Sequence, residues 1–142
     1  MGELDDCIKR GLIRKREPSR ETALKGMAKA EKLLDEAKIS LKANAPDSSL
    51  LMSYESILLT AKALLINDGF RERSHYCVVI YMKEIYADNG KIDKKIIGLF
   101  DHYRTLREMV AYDTDFTISN KDAEEAIKDA DMIVKELRKL IK

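Results

Sequence analysis

Tryptophan is absent from the 142 residues, and cysteine, histidine and proline occur twice each. These shortages exclude a good deal. Cys7 and Cys77 stand far apart with no metal-like spacing, so zinc knuckles and Cys-x-x-Cys redox chemistry are excluded. Two reduced thiols in a cytoplasmic setting are the simplest expectation. His75 and His102 lack a partner four residues away on one helix face, so neither a metal nor another cofactor is expected. Charge of one sign is also lacking: 26 basic side chains against 25 acidic ones leave a net charge of +1. No protein-wide field then attracts nucleic acid, and any RNA contact must be local. Apolar runs stop short of the roughly 20 residues that a membrane helix needs. Met1-Gly2-Glu3-Leu4-Asp5-Asp6 is acidic and has neither the basic-then-apolar form of a signal peptide nor the hydroxyl residue that myristoylation requires. With 45% apolar and 36% charged residues, the chain has enough of both to bury one core, and a single domain over 1–142 is expected.

What is present is helical periodicity. Apolar residues recur at three- and four-residue steps in Ala23, Met27, Ala30, Leu34, Ala37 and Leu41, and again in Leu51, Tyr54, Leu58, Ala61 and Leu65. Such stripes define one face of a helix. Ser19 offers a cap for the first of these helices, and Gly69 a left-handed stop for the second. A shorter helix is predicted from Ser74 through Val78, Met82 and Ile85 to Asp88-Asn89-Gly90. The next starts at Asp93 and carries Ile96, Phe100, Tyr103, Leu106 or Arg107, and Val110. The last follows Ser119, with Asp122 approximating a capping box and Ala123, Ala126, Ala130, Ile133, Leu137 and Leu140 as its stripe. Leu4, Ile8 and Leu12 predict a peripheral N-terminal helix running to Arg16 within residues 1–17, ended by Pro18. No strand alternation of useful length is visible. The expected fold is all-α: an antiparallel up-and-down bundle of four long core helices with short flanking helices.

Several segments carry a further signal. Ser53-Tyr54-Glu55 leads into Ala61-Lys62-Ala63-Leu64-Leu65, Ser74-His75 heads the next helix, and Leu106-Arg107-Glu108 precedes Ala111-Tyr112-Asp113. In this order and spacing, from about Ser19 to Lys142, they resemble the HEPN family of small helical-bundle proteins. The resemblance implies a bundle that dimerises around its motif. It further implies kinship with ribonuclease toxins encoded beside a minimal nucleotidyltransferase, and with stand-alone members of no established reaction. In active members an arginine and a histidine from two subunits cleave RNA without a metal.

Here the motif histidine is missing. Arg107 can supply a planar cation that fits phosphate oxygens. The proton transfer that histidine performs at neutral pH falls to Tyr112, and an ordinary phenol with a pKa of about 10 is a poor base. Loss of positioned acid–base catalysis costs about 100- to 10,000-fold. Glu108 adds a carboxylate that opposes an RNA phosphate. RNase activity is therefore expected to be weak or absent, in a homodimer paired with a nucleotidyltransferase. The alternatives are a metal-independent endoribonuclease using Arg107 and Tyr112, with His75 as a substitute base, and a non-catalytic module that binds a partner, RNA or a nucleotide.

Each candidate has a plainer reading. Arg107 on a stripe edge suits an ion pair, Tyr112 a packed aromatic, and His75 a helix-start residue bonded to backbone. Secondary binding candidates are Tyr54, Tyr103, Glu108 and Asp113. Tyr112 is also a candidate for the nucleotide transfer that the resemblance implies for a tyrosine near the motif.

Overall fold

A computed structural model describes residues 2–141; the terminal residues of the expected 1–142 domain lie outside it. The elements run α1 (Glu3–Lys9), β1 (Ile13–Lys15), α2 (Arg20–Lys42), α3 (Pro46–Asp68), β2 (Phe70–Glu72), α4 (His75–Tyr81), a π-helical turn (Met82–Ala87), α5 (Lys94–Tyr112) and α6 (Asn120–Arg138). The fold is an all-α bundle with one tiny ribbon beside it.

Local chemistry starts the helices where expected. Ser19 accepts from Thr22 N–H, Ser74 from Cys77 N–H, Asp93 from Lys95 N–H and Ser119 from Asp122 N–H, so each satisfies a donor the helix leaves unpaired. Pro46 occupies the first turn of α3, where no donor is lost. Gly69 ends α3 at φ 96°, a left-handed conformation that a side chain resists.

α2, α3, α5 and α6 form the bundle, with α3 at its centre. Leu50, Tyr54, Ile57, Ala61, Leu64 and Leu65 of α3 are all fully buried. α3 alone among the described residues is long and apolar enough to cross a membrane, and 67% of its most apolar window is buried inside the bundle. This composition is that of a core helix enclosed by neighbours on most sides. The predicted stripes of α2 and α6 face it: Ala23, Ala30 and Ala37 on one, and Ala123, Ala126 and Ala130 on the other, are fully buried. Alanine lets helix axes approach closely, and on α3 the buried Ser49, Ser53, Ser56 and Thr60 do the same. Ser49 donates across to the Ala37 carbonyl at 2.8 Å.

The N-terminal expectation needs correction. α1 ends at Lys9, not Arg16, because Gly11 takes φ 70° and turns the chain. Residues 13–15 then pair antiparallel with 70–72, with Ile13 opposite Glu72 and Lys15 opposite Phe70. The spacing from Leu4 to Leu12 therefore does not mark a continuous helix: Leu4 and Leu12 pack partly against the core while Ile8 is 47% exposed. α1 crosses α4, and Cys7 and Cys77 form a disulfide across that contact. The two thiols are thus joined, contrary to the expectation of separate reduced cysteines. The predicted fourth helix exists but switches to π geometry at Met82. The wider turn brings the phenols of Tyr81 and Tyr86 onto one Asp68 carboxylate oxygen, at 2.7 and 2.6 Å.

Candidate functional site

The motif residues gather where the end of α5 meets the start of α3 and the head of α4. Arg107 and Tyr112 stand five residues apart on α5, and the guanidinium reaches toward the C-terminal end of the helix to meet the ring. Nη1 donates to the Tyr112 hydroxyl at 3.4 Å, and the guanidinium carbon lies 5.5 Å from the ring centre. Tyr112 is 72% exposed, so its phenol faces solvent with a cation beside it.

The neighbouring arginine behaves differently. Arg104 is paired at 2.8 Å with Asp101 and at 3.7 Å with Glu108, and lies over the Tyr76 ring at 5.3 Å. Its charge is therefore spent locally, and Glu108 is drawn toward Arg104. Among the described residues Arg107 makes no ion pair. It is the cation left for an external anion.

His75 is brought into this cluster, which the sequence left as one option. Its Nδ1 lies 3.3 Å from the hydroxyl of the buried Tyr54. Burial lowers the His75 pKa from its ordinary value, Arg107 lowers it further, and Glu55 opposes them. Burial raises the Tyr54 pKa, so the phenol keeps its proton. If that proton points at Nδ1, the imidazole proton sits on Nε2. In the opposite tautomer Nδ1–H donates to the Tyr54 oxygen, and Nε2 is left as an acceptor.

The lowered pKa sets a sign for pH dependence. The folded state binds this proton less readily than the unfolded chain, whose ordinary value is 6.5. Unfolding therefore takes up a proton as pH falls below that value, so stability present above it is lost. The urea midpoint is expected to decline from pH 7 to pH 5.5, and His75→Asn should flatten part of that slope. The effect is small because the half-exposed ring stays partly solvated. An unchanged slope in the variant would show that other groups carry it.

The remaining candidates divide. Asp113 lies at the same end, accepting from Asp115 N–H at 2.9 Å. Tyr103 does not join the cluster: it is buried, and its hydroxyl donates to Asp129 on α6. His102 is exposed, edge-on to the Tyr103 ring at 4.9 Å.

Two residues were missed as site members. Arg104 gave no signal beyond its turn of separation from Arg107. Glu55 did give one: it is the sole acid between Asp47 and Asp68 on α3. It lies beside Arg107 in a groove.

A sequence model of the HEPN domain matches residues 24–140. The chain belongs to the HEPN family. No curated protein matches it. The match begins within α2 and ends beyond α6, so it spans the four bundle helices of this HEPN protein and leaves α1 and β1 outside. Its Arg107 lies within the domain, on α5, and the position five residues on carries a tyrosine.

Proposed function

We propose that this HEPN protein is the helical member of a toxin–antitoxin-like or nucleotide-linked pair, with a nucleotidyltransferase as its partner and weak or absent RNase activity. The observation that carries the reading is the exposed Tyr112 phenol held beside the unpaired Arg107 cation. A solvent-facing phenol is accessible to an enzyme that transfers a nucleotide, and a guanidinium fits the incoming phosphate. Metal-free RNA cleavage lacks an equally placed base, since the nearest imidazole is engaged with Tyr54.

The protein acts in this reading as a homodimer through the outer face of α5. Met109 and Tyr112 lie three residues apart there, 38% and 72% exposed, and a second copy of the face would cover both. Tyr76, 43% exposed, adds to the apolar surface at this end through its contact with Arg104. A monomer at micromolar concentration in light scattering would refute the dimer.

One observation favours the endoribonuclease alternative. The lowered His75 pKa keeps that imidazole neutral at pH 7, as a base requires. The third reading, a non-catalytic module, needs only the groove beside Arg107.

The test is direct. The protein is incubated with ATP, Mg²⁺ and the nucleotidyltransferase encoded nearest to it, and its intact mass is recorded. Whole nucleotidyl additions are expected on the native chain and none on Tyr112→Phe. RNA incubated with EDTA is expected to survive. Cleavage that persists in EDTA and vanishes in Arg107→Ala would replace the reading with the endoribonuclease. An unmodified chain and intact RNA would leave the binding module.

A further inference from the structure

A groove of about 270 Å³ runs between α2, α3 and α5, lined by Leu33, Leu51, Met52, Glu55, Arg107 and Ala111. Its two polar groups carry opposite charge and stand on different helices. Glu55 is half-buried and, among the described residues, accepts no hydrogen bond and forms no ion pair. Among the described residues Arg107 hydrogen-bonds the Tyr112 hydroxyl and no carboxylate. Both side chains line the same groove.

The walls are aliphatic chains and a thioether. Such surfaces suit a flat heterocycle, and methionine sulfur packs well against aromatic rings. The volume is near the lower end for small-molecule pockets and suits one base. A carboxylate on a half-buried residue with no donor beside it would gain from a ligand offering two parallel N–H donors. Among the nucleobases guanine presents that pair, through N1–H and the N2 amine. Adenine and cytosine pair one donor with an acceptor that a carboxylate repels.

We propose that this groove is a guanine subsite, with the base between Leu33, Leu51 and Met52, its N1–H and N2 amine donating to Glu55, and its phosphate on Arg107. The phosphate half rests on the reading of Arg107 given above. The base half rests on Glu55 and the apolar walls alone. The shared chemistry is a guanine nucleotide, either free or as a single-stranded RNA residue with its base unstacked.

The experiment is calorimetric titration of the full chain with GMP, IMP, AMP and CMP. GMP is expected to bind at least about tenfold more tightly than AMP or CMP. IMP, which keeps N1–H but lacks the N2 amine, should fall between them. Glu55→Gln is expected to level the series, with circular dichroism confirming that the variant is folded. Arg107→Ala should weaken every nucleotide while keeping the order. Equal affinities in the native protein, or an unchanged GMP preference in Glu55→Gln, would overturn the guanine subsite and leave the Arg107 reading intact. A GMP preference with no loss in Arg107→Ala would overturn the phosphate contact and leave the base contact. No binding by any nucleotide would overturn both. Displacement of GMP by a short single-stranded RNA carrying one guanosine would assign the subsite to RNA bases, and failure to displace it to free nucleotides.

Discussion

Reduction of the Cys7–Cys77 disulfide is expected to lower the unfolding midpoint by roughly 10–15 °C. The bond joins residues 70 apart in sequence. Closing a loop of that length removes conformational freedom from the unfolded chain equivalent to about 4 kcal/mol in the chain-entropy account. For a domain of this size each kcal/mol moves the midpoint by about 2–4 °C or slightly more. The half-cystines are 4% and 2% exposed, so the folded protein should resist mild reductant, and reduction should be carried out in denaturant before refolding. Cys77→Ser provides a second route to the same state. Its effect should match that of reduction to within the small cost of a buried hydroxyl. Equal midpoints for oxidised and reduced protein would mean that other contacts already anchor α1. Those contacts are identifiable: Leu4 N–H donates to Glu84 at 3.0 Å, and Tyr76 donates to Glu3.

Phe100→Ala is expected to cost about 3–5 kcal/mol, the range for truncating a buried aromatic ring. Phe100 is 1% exposed, and its ring centre lies 6.2 Å from that of Tyr54. Removing it leaves a cavity at the point where α5 meets α3. The effect reaches the site because Tyr54 is the partner of His75. Water entering the cavity would reduce the desolvation that lowers the His75 pKa, which should then climb back toward 6.5. Urea unfolding measures the first effect, and NMR titration of the imidazole proton measures the second. Phe100→Leu should lose less stability and shift the titration less. A large stability loss with an unmoved titration would show that Phe100 supports the bundle without holding Tyr54.

The bundle was legible in the sequence because its information is local. Stripes at helical spacing, serine and aspartate caps, Pro46 and Gly69 each act within a few residues of where they stand. α1 was misjudged for the opposite reason. Leu12 and Ile13 continue an apolar spacing, and what makes residues 13–15 extended is pairing with Phe70–Glu72, far along the chain. The disulfide was hidden in the same way, since a separation of 70 residues says nothing about proximity until α1 lies across α4. At the site, the Arg107–Tyr112 pair was visible as a spacing on one helix. His75 beside Tyr54, and Glu55 beside Arg107, depend on how three helices cross. Tyr103 shows the converse: its place in the α5 stripe predicted burial correctly, while its hydroxyl turned to Asp129.

The central position of α3 also bears on how the protein is made. α6, which covers one side of α3, follows it in the chain after α4 and α5. At about 5–20 residues per second, its final turn leaves the ribosome several seconds after the final turn of α3. At the start of that interval the most apolar segment of the chain has α2 as its one bundle neighbour, and α5 joins it before α6 does. Its composition is also that of a membrane span. The nascent chain therefore presents a targeting-like hydrophobic helix that the finished protein conceals, and early chaperone engagement would be needed most between the synthesis of residues 68 and 138.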